Sequence, residues 1–176
     1  MGAGAISVAS PHRRCVDLRH MRKPPNPLDS ASARSAAIAL LARRDYASGE
    51  LRNRLERKGF DPTIVHGTIE ELTQERALND GRYAANYVSY HAARGEGPVR
   101  IEADLKALGL AGELVEAALA GGPDWVVLAR EVRSRRFGPE LPADWTGKAR
   151  QARFLQYRGF SLDHIRSALG ADFDLD

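Results

Sequence analysis

One spacing constrains this chain more than any other. Leu55, Leu105 and Leu155 lie 50 residues apart, and so do Gly59, Gly109 and Gly159. Phe60, Leu110 and Phe160 follow those glycines directly. The next stretch keeps step, with Val65, Val115 and Ile165 and then Ile69, Leu119 and Leu169. A phrase that returns at a fixed period marks an array of repeated supersecondary units.

Each phrase reads as a helix stopped by glycine. Leu51 and Leu55, like Ile101 and Leu105, fall on one helical face at i and i+4. In the third phrase Gln151 stands at the first apolar position, ahead of Leu155. The glycine suits the left-handed position past a helix end, and the Phe or Leu after it folds back as its hydrophobic partner. In the first unit Asp61 and Pro62 then restart a helix as N-cap and first residue, with Ile64, Val65, Ile69 and Leu72 as its stripe.

An opening helix precedes each phrase. The first is expected over about 35–44, with Ala36, Ala37, Leu40 and Leu41 on one face. The second covers about 81–93, with Tyr83, Tyr87, Val88 and His91. The third covers about 124–137, with Trp125, Leu128, Ala129 and Val132, and the long loop 138–144 follows it. Ser48 is expected to be the N-cap of the first middle helix, with Glu50 in its first turn. The expected fold class is therefore all-α, an elongated array of three tandem three-helix repeats with helix-turn-helix-like units. The expected boundaries are 34–80, 81–122 and 123–170. Residues 1–33 are rich in Gly, Ser and Pro and read as a disordered tail; residues 171–176 form an acidic end.

Composition supports helix and narrows the setting. The 176 residues are 43% hydrophobic and 28% charged, with aromatics at only 7%, and Ala, Arg and Leu dominate. No apolar run approaches the roughly 20 residues needed to span a bilayer. Cys15 is the lone cysteine, which rules out an internal disulfide and fits a cytoplasmic location. The net charge is +3. It comes entirely from residues 1–33, where Arg13, Arg14, Arg19, Arg22 and Lys23 outnumber Asp17 and Asp29. Any charged binding surface on the neutral remainder must be a local patch.

Catalytic constellations do not emerge. Gly95, Glu96, Gly97 and Pro98 suggest a phosphate loop, but no Gly-Lys-Ser/Thr ending follows, so a loop entering a helix with Pro98 at its first position is the better reading. Gly147 and Lys148 fail likewise. His12, His20, His66, His91 and His164 are dispersed without metal-ligand spacing, so no metal or cofactor is expected. His91 and His164 read as partly buried helix residues. Glu70, Glu71, Glu75 and Asp80 read as a solvated or partner-facing acidic face, not as a catalytic pair.

The basic residues are the candidate site. Arg43, Arg44, Arg52, Arg54, Arg57 and Lys58 gather in the first unit. Arg130, Arg133, Arg135, Arg136, Lys148, Arg150, Arg153 and Arg158 leave residues 130–158 strongly positive against Glu131, Glu140 and Asp144. Guanidinium groups on a helix face meet phosphates or acidic protein surfaces. The competing reading is an ordinary charged face with i,i+4 pairs.

These phrases, taken in order, resemble the RecX family of recombinase regulators. They run from Ser48, Gly49, Glu50 and Leu51 through Leu55 to Lys58, Gly59 and Phe60, and then from Leu78 through Asn79, Asp80, Gly81, Arg82 and Tyr83 to Ala84. Next come Gly95 to Ile101 with Leu105 and Gly109, and finally Arg158, Gly159 and Phe160 with Ile165 and Leu169. The resemblance spans 35–170. It implies tandem three-helix repeats and a partner, the filament of a RecA-type recombinase on single-stranded DNA. It implies that the chain, as a monomer, lies in the filament groove and restrains ATP hydrolysis and strand exchange in DNA repair and the SOS response. Arg100 joins the candidate residues on that reading. The alternative is a non-specific DNA-binding helical module that works without the recombinase. A reader of specific sequence would need a recognition helix with base-reading side chains, and none is identifiable.

Overall fold

The periodic glycines act as the spacing predicts. In a computed structural model describing residues 26–170, nine helices fall into three groups of three, with no strand among the described residues. The first unit holds α1 (Ser30–Leu41), α2 (Ser48–Arg57) and α3 (Pro62–Gln74). The second holds α4 (Asp80–Ala93), α5 (Pro98–Ala107) and α6 (Gly112–Ala120). The third holds α7 (Trp125–Phe137), α8 (Trp145–Tyr157) and α9 (Leu162–Leu169). The principal helix–helix contacts are made within a unit.

The middle helices α2, α5 and α8 end identically. Gly59, Gly109 and Gly159 have φ of 96°, 86° and 88°. The N–H groups of Phe60, Leu110 and Phe160 donate to the carbonyls of Leu55, Leu105 and Leu155 at 3.4, 3.3 and 3.1 Å. The glycine N–H groups donate one residue further on, to Glu56, Lys106 and Gln156. This is the Schellman arrangement, which satisfies two carbonyls that the helix end would leave bare. Its hydrophobic half is also present, since each Phe or Leu is buried in the same cluster as its Leu partner.

Each unit has its own apolar centre. Leu51, Leu55, Val65 and Leu72 are fully buried in the first, and Ile101, Leu105 and Val115 in the second. Leu155, Ile165 and Leu169 do the same in the third. At roughly 1.5–3 kcal/mol for each fully buried aliphatic side chain, these positions dominate what holds a unit together. The seams are shared. Ala47, at the head of α2, is buried in the second unit's cluster, and Ala92 of α4 is buried in the third unit's.

Consecutive units meet end to end through their middle helices. At the N-terminus of α5 the N–H of Gly97 donates to the Arg158 carbonyl at 2.8 Å, and that of Val99 to the Gly159 carbonyl at 3.0 Å. The bare donors of one helix start thus meet the bare acceptors of another helix end, positive dipole terminus to negative. At the other junction the Leu108 carbonyl lies against Gly49 in the first turn of α2. No side chain fits in either seam. A Cβ on Gly97 would come within 2.3 Å of the Gly159 carbonyl oxygen, and one on Gly49 within 2.4 Å of that of Leu108.

Three local expectations are corrected. The first helix starts at Ser30, ahead of the expected Ser35 and within the stretch assigned to the tail, because the Asp29 side chain accepts from the Ser32 N–H and caps it. Residues 1–25 and 171–176, the rest of the expected tail and the acidic end, lie outside the described residues. Second, the N-cap of α2 is Ala47, not Ser48. Ser48 bonds instead to Asp80 of the next unit, its N–H at 2.8 Å and its hydroxyl at 2.6 Å. Third, Gln151 is no exception to the buried pattern. It is 4% exposed, and its side-chain carbonyl accepts from Arg133. Asp61 and Pro62 serve as N-cap and first residue of α3, and Pro98 opens α5 after Gly97, as expected.

The glycines rank themselves by cost of substitution. Gly97→Ala should lose the most stability by denaturant titration, more than about 2 kcal/mol, because backbone must move at the seam. Gly59→Ala, in open space but left-handed, should lose about 1–2 kcal/mol. Gly112→Ala, in open space at the start of α6, should be neutral or stabilising.

His164 supplies a pH dependence. It is the third residue of α9 in a capping box with Ser161, whose N–H it accepts at 3.4 Å through Nδ1. Burial holds its pKa below the ordinary 6.5, partly offset by Asp163 and Asp124. A depressed histidine pKa means that the unfolded chain takes up the proton first. This contribution to stability is therefore complete above about pH 6.5 and shrinks as the pH falls towards the folded-state value. An NMR titration should place the His164 midpoint below 6.5.

Candidate functional site

The structure divides the basic residues into those that hold the fold and those that face outward. Arg133 belongs to the first kind, which corrects its assignment as a binding residue. It is 6% exposed. Its guanidinium donates to the Pro139 carbonyl at 2.8 Å, the Glu140 carbonyl at 3.1 Å and Gln151 Oε1 at 3.3 Å. It thus satisfies the first carbonyls of the long loop between α7 and α8, which have no ladder of their own. Arg44 is likewise engaged, paired with Glu50 at 2.5 Å and stacked 3.8 Å above the Tyr46 ring. The Glu50 hydrogen bond raises its pKa further.

Other predicted residues scatter. Arg43, Arg52 and Arg153 are exposed, and Lys148 is half-buried. Arg52 lies along a groove with His66, Glu70 and Asp80, and Lys58 along another with Arg54, Arg57 and Glu50. Arg130 donates to the Ser167 carbonyl at 3.1 Å. Arg100 sits 3.6 Å from Glu96, whose carboxylate also meets His91 Nδ1 at 2.9 Å. Tyr87 stacks on that histidine at 4.0 Å, and its hydroxyl is pushed up to about 12 by burial and by Asp104.

Three predicted residues converge. Arg135, Arg136 and Arg158 line a groove of about 250 Å³ where the second unit meets the third. Arg94, at the end of α4, is the fourth arginine on that wall, and Gly95, Val132 and Phe154 complete it. No carboxylate lines it. Arg158 bridges the seam, donating to the Arg94 carbonyl at 3.4 Å while lying 5.4 Å from the Phe154 ring centre. Phe154 meets Phe137 edge-on at 5.3 Å, and Arg136 and Arg150 lie 6.0 and 5.8 Å from the Phe137 ring. Arg94, Arg136, Arg150 and Arg158 thus each lie within about 6 Å of a ring centre, while Arg135 has no aromatic neighbour of this kind among the described residues.

Sequence reasoning missed Arg94 and the aromatic partners. A signal was present: Phe154 and Arg158 are four apart on one helix, as are Tyr90 and Arg94. That these two pairs face each other depends on how the units dock. Among the described residues no group of three or more His, Cys, Asp or Glu is placed to hold a metal, and no helix is long and apolar enough to cross a membrane.

Fold and surface together define a tandem array of three-helix units with an arginine-lined seam. Comparison with known proteins gives the family. Models of the first, second and third three-helix domains of RecX match residues 33–72, 79–119 and 124–169. A regulatory protein RecX of Halorhodospira halophila is 44% identical over 143 residues, covering 81% of this chain and 89% of that one. One from Pseudomonas syringae pv. tomato is 41% identical, covering 80% and 92%. The crystal structure of RecX from Lactobacillus salivarius shares the fold, with a TM-score of 0.70 at 21% identity over 79% of this chain and 93% of that one. The chain belongs to the RecX family of regulatory proteins.

The Arg133 assignment is testable by stability alone. Arg133→Ala strands two loop carbonyls and the Gln151 side chain, and should cost about 2–3 kcal/mol in denaturant. Arg135→Ala, on the exposed wall, should stay within about 0.5 kcal/mol of the parent.

Proposed function

We propose that this protein is a non-enzymatic regulator of a RecA-type recombinase, acting in the cytoplasm. It binds in the groove of the nucleoprotein filament on single-stranded DNA and restrains ATP hydrolysis and strand exchange. The observation that carries this reading is the complete, ordered set of three RecX domains on one chain. A regulator that works by contact needs a surface long enough to engage several points of its partner at once. Three units joined through short seams supply one, and linked contacts raise avidity without any one being strong.

The basic groove is the surface proposed to dock. Arg94, Arg136 and Arg158 are held by cation–π contacts, and Arg158 also by its hydrogen bond across the seam, so these three lose little side-chain freedom on binding. Arg133 is not among the contact residues; Arg94 is added.

The test is a recombinase ATPase assay on single-stranded DNA. The parent protein should slow hydrolysis at stoichiometric amounts; an unchanged rate would sink the proposal. The double variant Arg135→Ala/Arg136→Ala should need about tenfold more protein for the same inhibition, equivalent to about 1.4 kcal/mol of lost contact.

A further inference from the structure

We infer that the seam between the second and third units is itself a binding site for single-stranded nucleic acid, which grips the sugar–phosphate backbone with arginines from both units. This deepens the reading above, but it concerns the strand and not the recombinase.

The groove offers anions a rare combination. Arg94, Arg135, Arg136 and Arg158 converge on it, and none forms an ion pair with a carboxylate among the described residues. Elsewhere in this chain arginines are neutralised locally, Arg34 by Glu71 and Glu75 and Arg44 by Glu50. Four unneutralised guanidiniums around about 250 Å³ leave a standing positive potential that only an outside anion can satisfy. Guanidiniums bind phosphate oxygens in a planar, two-pronged way, which favours phosphodiester among anions.

The rim favours a single strand over a duplex or an acidic protein. Tyr90, whose ring lies against Arg94 and whose hydroxyl accepts from it at 3.3 Å, is 60% exposed. Exposed rings next to unpaired arginines are the components of single-strand binding, where bases stack on aromatic faces while cations follow the backbone. A helical duplex keeps its bases inside and gives that ring nothing to stack on. The groove is also far too small to admit one.

The site is composite. Arg94 and Gly95 come from the second unit; Arg135, Arg136 and Arg158 come from the third. Beside the backbone hydrogen bonds of the seam, Gly95, at φ 77°, packs against Val132, where a Cβ would come within 2.9 Å. A strand held by both halves therefore also clamps the seam.

The experiment is fluorescence anisotropy of labelled oligo(dT) with the full chain, without recombinase, across a salt series. The parent should bind, with affinity falling as salt rises. Arg135→Ala and Arg136→Ala should each lower the salt slope by about 1 and the affinity by about tenfold. Both residues lie outside the hydrogen-bonded framework, and thermal melts of the variants should match the parent's. Tyr90→Ala should lose about fivefold or more with the salt slope unchanged, because it removes stacking and not charge. Three outcomes overturn the inference: no binding by the parent, arginine variants that match it, or competition by poly-glutamate as effective as by unlabelled oligo(dT) at equal charge. The recombinase assay separates the two proposals. A parent that binds oligo(dT) but leaves ATP hydrolysis untouched sinks the regulatory reading alone. Variants that keep strand binding but lose inhibition sink this one alone.

Discussion

The whole array depends on one contact, a helix start resting on a glycine-capped helix end. Within a unit the left-handed glycine lets the chain fold back so that the Phe or Leu after it closes the core. Between units the same turn presents a flat patch of backbone. The N-terminus of α5 settles on it with two hydrogen bonds to α8, and α2 makes the corresponding approach to α5. Helix ends are costly because their polar groups lack partners. At the second seam two costly ends satisfy each other, and at both seams backbone comes close to backbone. Ser48 and Asp80 add a bridge beside the first seam, and Arg158 adds one beside the second.

That contact also decides what the surface can do. Because backbone meets backbone, the side chains next to each seam are displaced to its edges. At the second seam this brings the ends of α4, α7 and α8 together, and each carries arginine. Net charge gives no hint of it, since residues 34–176 are balanced overall. The concentration of charge comes from geometry, with acids paired on the first unit and along α5 while the seam arginines lack carboxylates. Tyr90, Phe137 and Phe154 lie against three of them, Arg94, Arg136 and Arg158.

The fold was legible because its signals are local and repeated. Glycine stops, the apolar residue after each, and i,i+4 leucines act within one turn of helix, and a period of 50 multiplies three weak cues into one strong one. Where the structure differs, the partners are distant in sequence. Ser48 looks like an N-cap because serine usually serves that way, but Asp80, 32 residues on, takes its hydroxyl and N–H. Gln151 looks like an interruption of the apolar pattern until Arg133 is placed against it. Arg133 looks like a surface cation for the same reason: a guanidinium that caps a loop is indistinguishable in sequence from one that waits for a ligand.

The number of units, the helix order, the turn chemistry and the family could all be read along the chain, because each rests on interactions within a few residues or on a repeated motif. The sequence also marked out the basic stretch from Arg130 to Arg158. Tertiary structure alone decided which of those cations point inward, that Arg94 joins Arg135, Arg136 and Arg158, and that rings from two units flank them. The reason is physical. Helical periodicity fixes which way a side chain leaves its own helix, but which neighbour it meets depends on docking, and docking here is set by backbone contacts between glycines roughly 60 residues apart.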